Sequence, residues 1–215
     1  MHIAVVGASG RTGRLVVEQA LRAGHRVTAF VRTPRDTGLP AEAEVLEADV
    51  VRGDGFELPP GIDVVISTLG KNSNRDRSPV CAAGTEHVMD AMRRTGVRRI
   101  VVTSASPVLR VATGEPFWFR WTVRPVVRWF GKHLYADLEA MEALLIQSED
   151  DIVWSMVRPG YLIDAPEGSY ELVKNTNAMG VVHRADLASA LLAVAQRSDT
   201  ARAAYGLTSS RKRHS

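Results

Sequence analysis

An apolar run, Ile3-Ala4-Val5-Val6, gives way to Gly7-Ala8-Ser9-Gly10-Arg11-Thr12-Gly13 and then to Arg14-Leu15-Val16-Val17-Glu18-Gln19-Ala20-Leu21. No other stretch restricts the fold as much. A buried strand must turn sharply into a helix here, because Leu15, Val16, Ala20 and Leu21 fit one helical face that Gly24 ends. The three glycines have separate tasks. Gly7 permits the tight exit from the strand, Gly10 lets backbone approach a diphosphate closely, and Gly13 lets the helix pack on the strand. Such a turn leaves N–H groups pointing outward, and the positive end of the helix dipole lies behind them, so phosphate charge is stabilised without a cationic side chain. Gly7, Ser9, Gly10, Arg11, Thr12 and Gly13 are therefore the candidate diphosphate cradle.

A second strand pattern follows, Arg26-Val27-Thr28-Ala29-Phe30-Val31, and the residues at its end bear on cofactor choice. An NAD site carries an Asp or Glu about 20 residues past the glycines to accept the ribose hydroxyls. This chain has Arg32 there, followed by Thr33, Pro34 and Arg35. Two guanidinium groups suit a 2′-phosphate through bidentate, charge-assisted hydrogen bonds, so Arg32 and Arg35 predict NADP(H) in preference to NAD(H). The competing reading is a pair of solvated arginines with Asp36 as an ordinary ion-pair partner.

At 215 residues the chain fits one domain, long enough to bury roughly 70% of its unfolded surface. Its 27 basic and 24 acidic side chains leave a net charge of only +3, which implies no nucleic-acid partner. No apolar run approaches the ~20 residues of an integral membrane segment. Met1-His2-Ile3 enters the nucleotide fold directly, so no secretory leader is expected and a cytoplasmic location is. The single Cys81 agrees with a reducing compartment and a packing role. His2, His25, His87, His133, His183 and His214 are scattered without ligand spacing, and no metal site is expected.

Further strand patterns occur at Glu44-Val45-Leu46-Glu47, Ile62-Asp63-Val64-Val65-Ile66-Ser67, Arg99-Ile100-Val101-Val102-Thr103 and Ile152-Val153-Trp154-Ser155-Met156-Val157. Helical patterns over 79–94 and 135–147 separate them, and His183-Arg184-Ala185-Asp186 reads as the start of another helix, with His183 either there or facing the pocket. Alternation of strand and helix predicts an α/β fold: a single doubly wound parallel sheet, Rossmann-like, of order 3-2-1-4-5-6. Nearly continuous Val and Ile runs fit strands covered on both faces. The domain is expected to span 1–208, with 209–215 a frayed basic tail.

Ligands of such sheets bind at the carboxyl ends of the strands. Those ends carry Asp49-Val50, Leu69-Gly70, Thr103-Ser104 and Arg158-Pro159-Gly160-Tyr161. Asp49 can accept from an adenine amine, Gly70 leaves room beside a ribose, and Ser104 can hydrogen-bond the nicotinamide or the substrate. Each also has a reading as turn chemistry.

Together these residues resemble the atypical short-chain dehydrogenase/reductase group that includes NmrA-like proteins and the biliverdin-IX-beta/flavin reductases. Gly7-Ala8-Ser9-Gly10-Arg11-Thr12-Gly13, Phe30-Val31-Arg32, Asp49-Val50, Leu69-Gly70, Val102-Thr103-Ser104-Ala105 and Val157-Arg158-Pro159-Gly160 stand in the family's order. The segment 69–92 is similar to the flavin reductases in particular. The resemblance implies NADPH bound by the residues named above, with Val50, Leu69, Thr103 and Pro159 among its contacts. It also implies hydride transfer to a flat acceptor such as a flavin or quinone. Many members of the superfamily pair a Tyr with a Lys four residues later, but Tyr135 is followed at that spacing by Glu139, which would raise a phenol's pKa. Tyr161 stands where the flavin reductases have a His. Ser104 for positioning and Tyr161 as pocket wall or weak proton donor are the candidate catalytic residues.

The insert 117–132 holds three of the four tryptophans, and Arg120, Arg124, Arg128 and Lys132 recur every four residues around Pro125. Three readings stay open: a lid over a flat substrate, a membrane-surface or dimer helix that would make the protein an oligomer, and a solvated face with its back in the core. The function expected from the whole is an NADPH-dependent reductase of a small planar acceptor. The alternatives are a redox sensor that binds NADP(H) without turnover, and a reductase or isomerase of a small carbonyl compound.

Overall fold

A computed structural model describes residues 1–35, 37–71, 76–108, 131–148, 150–176, 178 and 180–210. The chain begins with β1 (His2–Val6), α1 (Arg11–Arg22), β2 (Arg26–Val31), β3 (Glu44–Glu47) and β4 (Val64–Ser67). It continues with α2 (Val80–Thr95), β5 (Arg99–Thr103), α3 (Lys132–Gln147), β6 (Val153–Pro159) and β7 (Tyr161–Ile163). β8 (Ser169–Lys174), β9 (Val181–His183), α4 (Arg184–Gln196) and β10 (Ala203–Ser210) complete it.

The central sheet has the order β3-β2-β1-β4-β5-β6-β10-β8. Its first six strands are the expected 3-2-1-4-5-6 arrangement, and all their pairings are parallel. The sheet goes further than the sequence indicated. β10 adds in parallel to β6, and β8 closes the edge antiparallel to β10. β8 has the alternation of a half-covered edge strand, with Tyr170 and Leu172 inward and Glu171 and Val173 outward. β7 and β9 form a separate parallel pair.

Burial along β1 explains its unbroken apolar character. Ala4 and Val6 pack into one core with Met89 and Met92 of α2 and Leu138 and Met141 of α3. Ile3 and Val5 pack into the other with Val16 and Val17 of α1 and Leu187 and Leu191 of α4. Side chains alternate across a strand, so a strand with helices on both faces must be apolar at every position.

Local signals set the helix ends. Gly24 and Gly96 adopt φ of 78° and 75°, the left-handed conformation that ends a helix. β10 runs to Ser210, two residues beyond the expected domain end at 208, and the Ser209 hydroxyl donates to buried Asp186. Asp186 also accepts from the Gly168 N–H, so it ties the start of α4 to two neighbouring segments. The remainder of the tail, 211–215, lies outside the described residues, as do Asp36 and insert positions 117–130. No helix among the described residues is long and apolar enough to cross a membrane.

Candidate dinucleotide crevice

Gly7 leaves β1 with φ of 78°, and the Thr68 hydroxyl, at the end of β4, donates to the carbonyls of Val6 and Gly7 at 3.1 and 3.2 Å. Those bonds fix the turn against the neighbouring strand. α1 then starts from an extended Gly10, with no side-chain cap and no acidic residue in its first turn. Its positive end is left for an anion. Gly13 does not reach the crevice: a Cβ there would overlap the Gly7 carbonyl oxygen and crowd Ala8 Cα. The contact is between backbones, which cannot yield as a flexible side chain can. Gly13→Ala is accordingly expected to destabilise the protein by about 1–3 kcal/mol and to weaken dinucleotide binding, as thermal unfolding and calorimetric titration would measure.

A crevice of about 670 Å³ runs along the carboxyl ends of the strands. Gly7, Ser9, Gly10, Arg11 and Thr12 line its middle; Arg32, Asp49 and Val50 line the side toward β2 and β3. Leu69, Gly70, Thr103, Ser104 and Pro159 line the side toward β4, β5 and β6. Arg32 and Arg35 are both exposed, but only Arg32 lines the crevice. Asp49 is partly engaged: its Oδ1 accepts from the N–H groups of Val51 and Arg52 at 3.1 and 3.3 Å, and Arg52 lies 3.7 Å from Oδ2.

Tyr161 does not line the crevice and is 75% exposed. Its N–H donates to the Gly180 carbonyl as the β7–β9 ladder begins, and Leu162, the next residue, takes the inward place. With a side-chain period of two, one step along β7 decides which residue faces the ligand. Tyr135 packs against the core between the sheet and α2 rather than lining the crevice. His183 does not line it either; its ring lies 3.0 Å from the Pro166 carbonyl and 3.5 Å from Asp186.

The structure adds Lys71, Asp137, Glu142 and Arg184, polar residues the sequence did not single out. Lys71, 2% exposed at its side chain, donates to the carbonyls of Asp76 and His133 at 3.2 and 3.0 Å and lies 3.5 Å from Asp137. Asp137 accepts from the N–H groups of Cys81 and Ala82 at 3.0 and 2.9 Å, which caps α2 with a carboxylate from α3. Arg184 also lines the crevice, and Asp164 bridges it to Arg11 through bonds of 3.0 and 3.1 Å. Arg158 is buried behind Ser104 and paired with Glu142. Thr103, at the crevice wall, carries a buried hydroxyl oxygen without a hydrogen-bond partner among the described residues.

Cys81 lies buried on α2, where desolvation and then Asp137 push its thiol up to about 12. The thiolate is the reactive form, so the native protein at neutral pH is expected to resist iodoacetamide, and denaturation to expose the site to alkylation, as mass spectrometry would record.

These features fit a dinucleotide: an uncompensated helix start, a tight glycine turn before it that has no room for a Cβ against its own backbone, and beyond them a hydroxyl without a partner among the described residues. A family model described as NAD(P)H-binding matches residues 7–198. The chain is 24% identical over 194 residues to a divinyl chlorophyllide a 8-vinyl-reductase of Arabidopsis thaliana, covering 81% of this chain and 42% of that one. The chain spans 13% to 59% of the length of such curated relatives. Among solved structures, the oxidoreductase ylbE of Lactococcus lactis superposes with a TM-score of 0.79 at 16% identity, covering 98% of this chain and 92% of that one. A candidate NADH-flavin reductase of Streptococcus pneumoniae gives 0.74 at 21% identity, covering 98% and 100%. At these identities the likeness is one of fold.

Proposed function

The chain belongs to the NAD(P)H-binding family, and from that premise we propose that it is an NADPH-dependent reductase of a flat aromatic acceptor such as a flavin or quinone. The observation that carries this reading is the crevice itself. It offers a cationic side chain, Arg32, beyond the glycine turn on one side and apolar Leu69, Leu134, Leu138 and Leu162 on the other. When bound, the reduced nicotinamide supplies a hydride. The residues of the chain do the rest. The Gly7–Gly13 turn and the start of α1 hold the diphosphate, with Ser9, Arg11 and Thr12 around it. Arg32, and more weakly Arg35, read the 2′-phosphate, while Asp49 and Val50 border the adenine. Gly70 makes room for the second ribose, and Thr103, Ser104 and Pro159 border the nicotinamide.

The apolar side chains exclude water and orient a planar acceptor for hydride delivery. With Tyr161 outside the crevice, the accompanying proton is drawn from solvent, which suits flavins and quinones better than a carbonyl compound. The relatives named for reductase activity support this class, as does the lack of a Tyr with a Lys four residues on at Tyr135.

The test is direct. NADPH and NADH are titrated onto the protein, and NADPH consumption is followed with a panel of riboflavin, FMN, FAD and quinones. Turnover with at least one planar acceptor, and tighter binding of NADPH, are expected. Tight NADPH binding without turnover on any of them would replace the enzyme by a regulator that senses NADP(H).

A further inference from the structure

Beneath the carboxyl end of β5 lies a buried charge pair that the proposed function leaves without a task. Ser104 is 5% exposed and lines the crevice. Its hydroxyl donates to Oε1 of Glu142, on α3, at 2.5 Å. Glu142 in turn accepts from Nε and Nη2 of Arg158, on β6, at 2.9 and 2.6 Å. The Arg158 and Glu142 side chains are 4% and 7% exposed, so the pair is shielded from water.

The donor inventory of this group fixes its polarity. A carboxylate held by a guanidinium only accepts, and a serine has one proton to give. With that proton committed to Glu142, Ser104 Oγ presents only lone pairs to the crevice, on an oxygen polarised by a charge-assisted bond. Turning the hydroxyl outward would take a bond from a buried carboxylate oxygen, which is costly. In a doubly wound sheet the dinucleotide crosses the strand ends at the switch point between β1 and β4. Arg32 and Asp49 mark the adenosine side, which sets Ser104, at β5, on the nicotinamide side.

We infer that Glu142 and Arg158 are positioning residues that hold Ser104 as a hydrogen-bond acceptor for the N–H of the nicotinamide carboxamide. The inference rests on the dinucleotide reading of the crevice. It gives Ser104 the role of orienting the ring, and it removes Ser104 as a source of protons for the reduced acceptor.

The experiment compares binding of NADP+ with binding of its 3-acetylpyridine analogue by calorimetry. The analogue keeps the carbonyl but replaces the amide nitrogen by a methyl group. The protein is expected to prefer NADP+ by about tenfold, the worth of one such hydrogen bond. In Ser104→Ala the two ligands should bind within about a factor of two of each other. In the double variant Arg158→Met, Glu142→Leu the acceptor of the hydroxyl proton is gone without leaving a buried charge, the proton is freed toward the crevice, and the preference should fall as well. A purely structural role would weaken both ligands together and leave their ratio unchanged. Equal binding of the two by the unaltered protein, or a preference that survives Ser104→Ala, overturns the inference while NADP+ binding still stands. Should the variant at Glu142 fail to fold, Glu142→Asp, which draws the carboxylate back from Ser104, takes its place with the same fall expected, and an unchanged ratio overturns the positioning role. Absence of binding by either ligand overturns the dinucleotide reading and the inference with it.

Discussion

Arg32→Glu is expected to change the ratio of NADPH to NADH affinity by roughly a hundredfold, almost wholly through loss of NADPH. The effect combines two losses. Hydrogen bonds to a charged group contribute about 1.5–3 kcal/mol each, and a carboxylate near the 2′-phosphate adds a repulsion of about 1 kcal/mol in an exposed, well-solvated site. Arg32 lies at the exposed end of β2 on the crevice wall, where the repulsion is screened and the hydrogen bonds dominate. The preference of the unaltered protein should therefore weaken as salt is raised. Arg35 is exposed but does not line the crevice, so Arg35→Glu is expected to have the smaller effect. Calorimetric titration of both cofactors onto both variants measures this. Equal losses of NADPH and NADH in Arg32→Glu would show that the guanidinium does not read the phosphate.

Arg158→Met, behind the crevice wall at Ser104, should be strongly destabilising. It removes the partner of Glu142 and leaves a carboxylate buried with, among the described residues, only the Ser104 hydroxyl as donor. Breaking a buried pair from one side costs about 3–5 kcal/mol, because the surviving charge keeps its desolvation penalty without its attraction. For a chain of this length that corresponds to a fall of about 10 °C in the unfolding midpoint. The double variant Arg158→Met, Glu142→Leu removes both charges and is expected to recover most of the loss. Scanning calorimetry of the two variants separates the outcomes. A double variant as unstable as the single one would mean that the pair is needed for packing rather than charge balance.

Both predictions draw on residues the sequence reached by different routes. The place of Arg32 on the crevice wall was legible because it depends on distance along the chain from a glycine turn, and a strand–helix–strand unit converts that distance into a fixed position. The places of Gly7, Gly70, Thr103 and Ser104 were legible because each ends or follows a strand whose apolar run is plain, Gly10 because it opens α1, and Asp49 because it follows the short β3; all six line one crevice. Gly13 was assigned both to helix packing and to the cradle; its contact with the Gly7 carbonyl is of the first kind, and it does not line the crevice. Tyr161 shows the limit of such reasoning. A strand end was identified, but the inward residue was Leu162, because pairing with β9 sets the parity of β7. β8 and β10 were missed because their apolar content is low: β10 packs small residues such as Ala203 and Ala204, and β8 is an edge covered on one face.

What the sequence determined by itself is the architecture of the first six strands and the position of the glycine turn between β1 and α1. Both follow from short-range rules, the period of apolar side chains and the φ that only glycine adopts easily, which neighbouring residues state in full. Tertiary structure alone decided the pairing of Arg158 with Glu142, the capping of α2 by Asp137, the burial of Lys71 and the outward turn of Tyr161. Each joins residues from separate elements, and a charge can be buried only where the fold brings its partner within hydrogen-bond reach, a condition that no local pattern encodes.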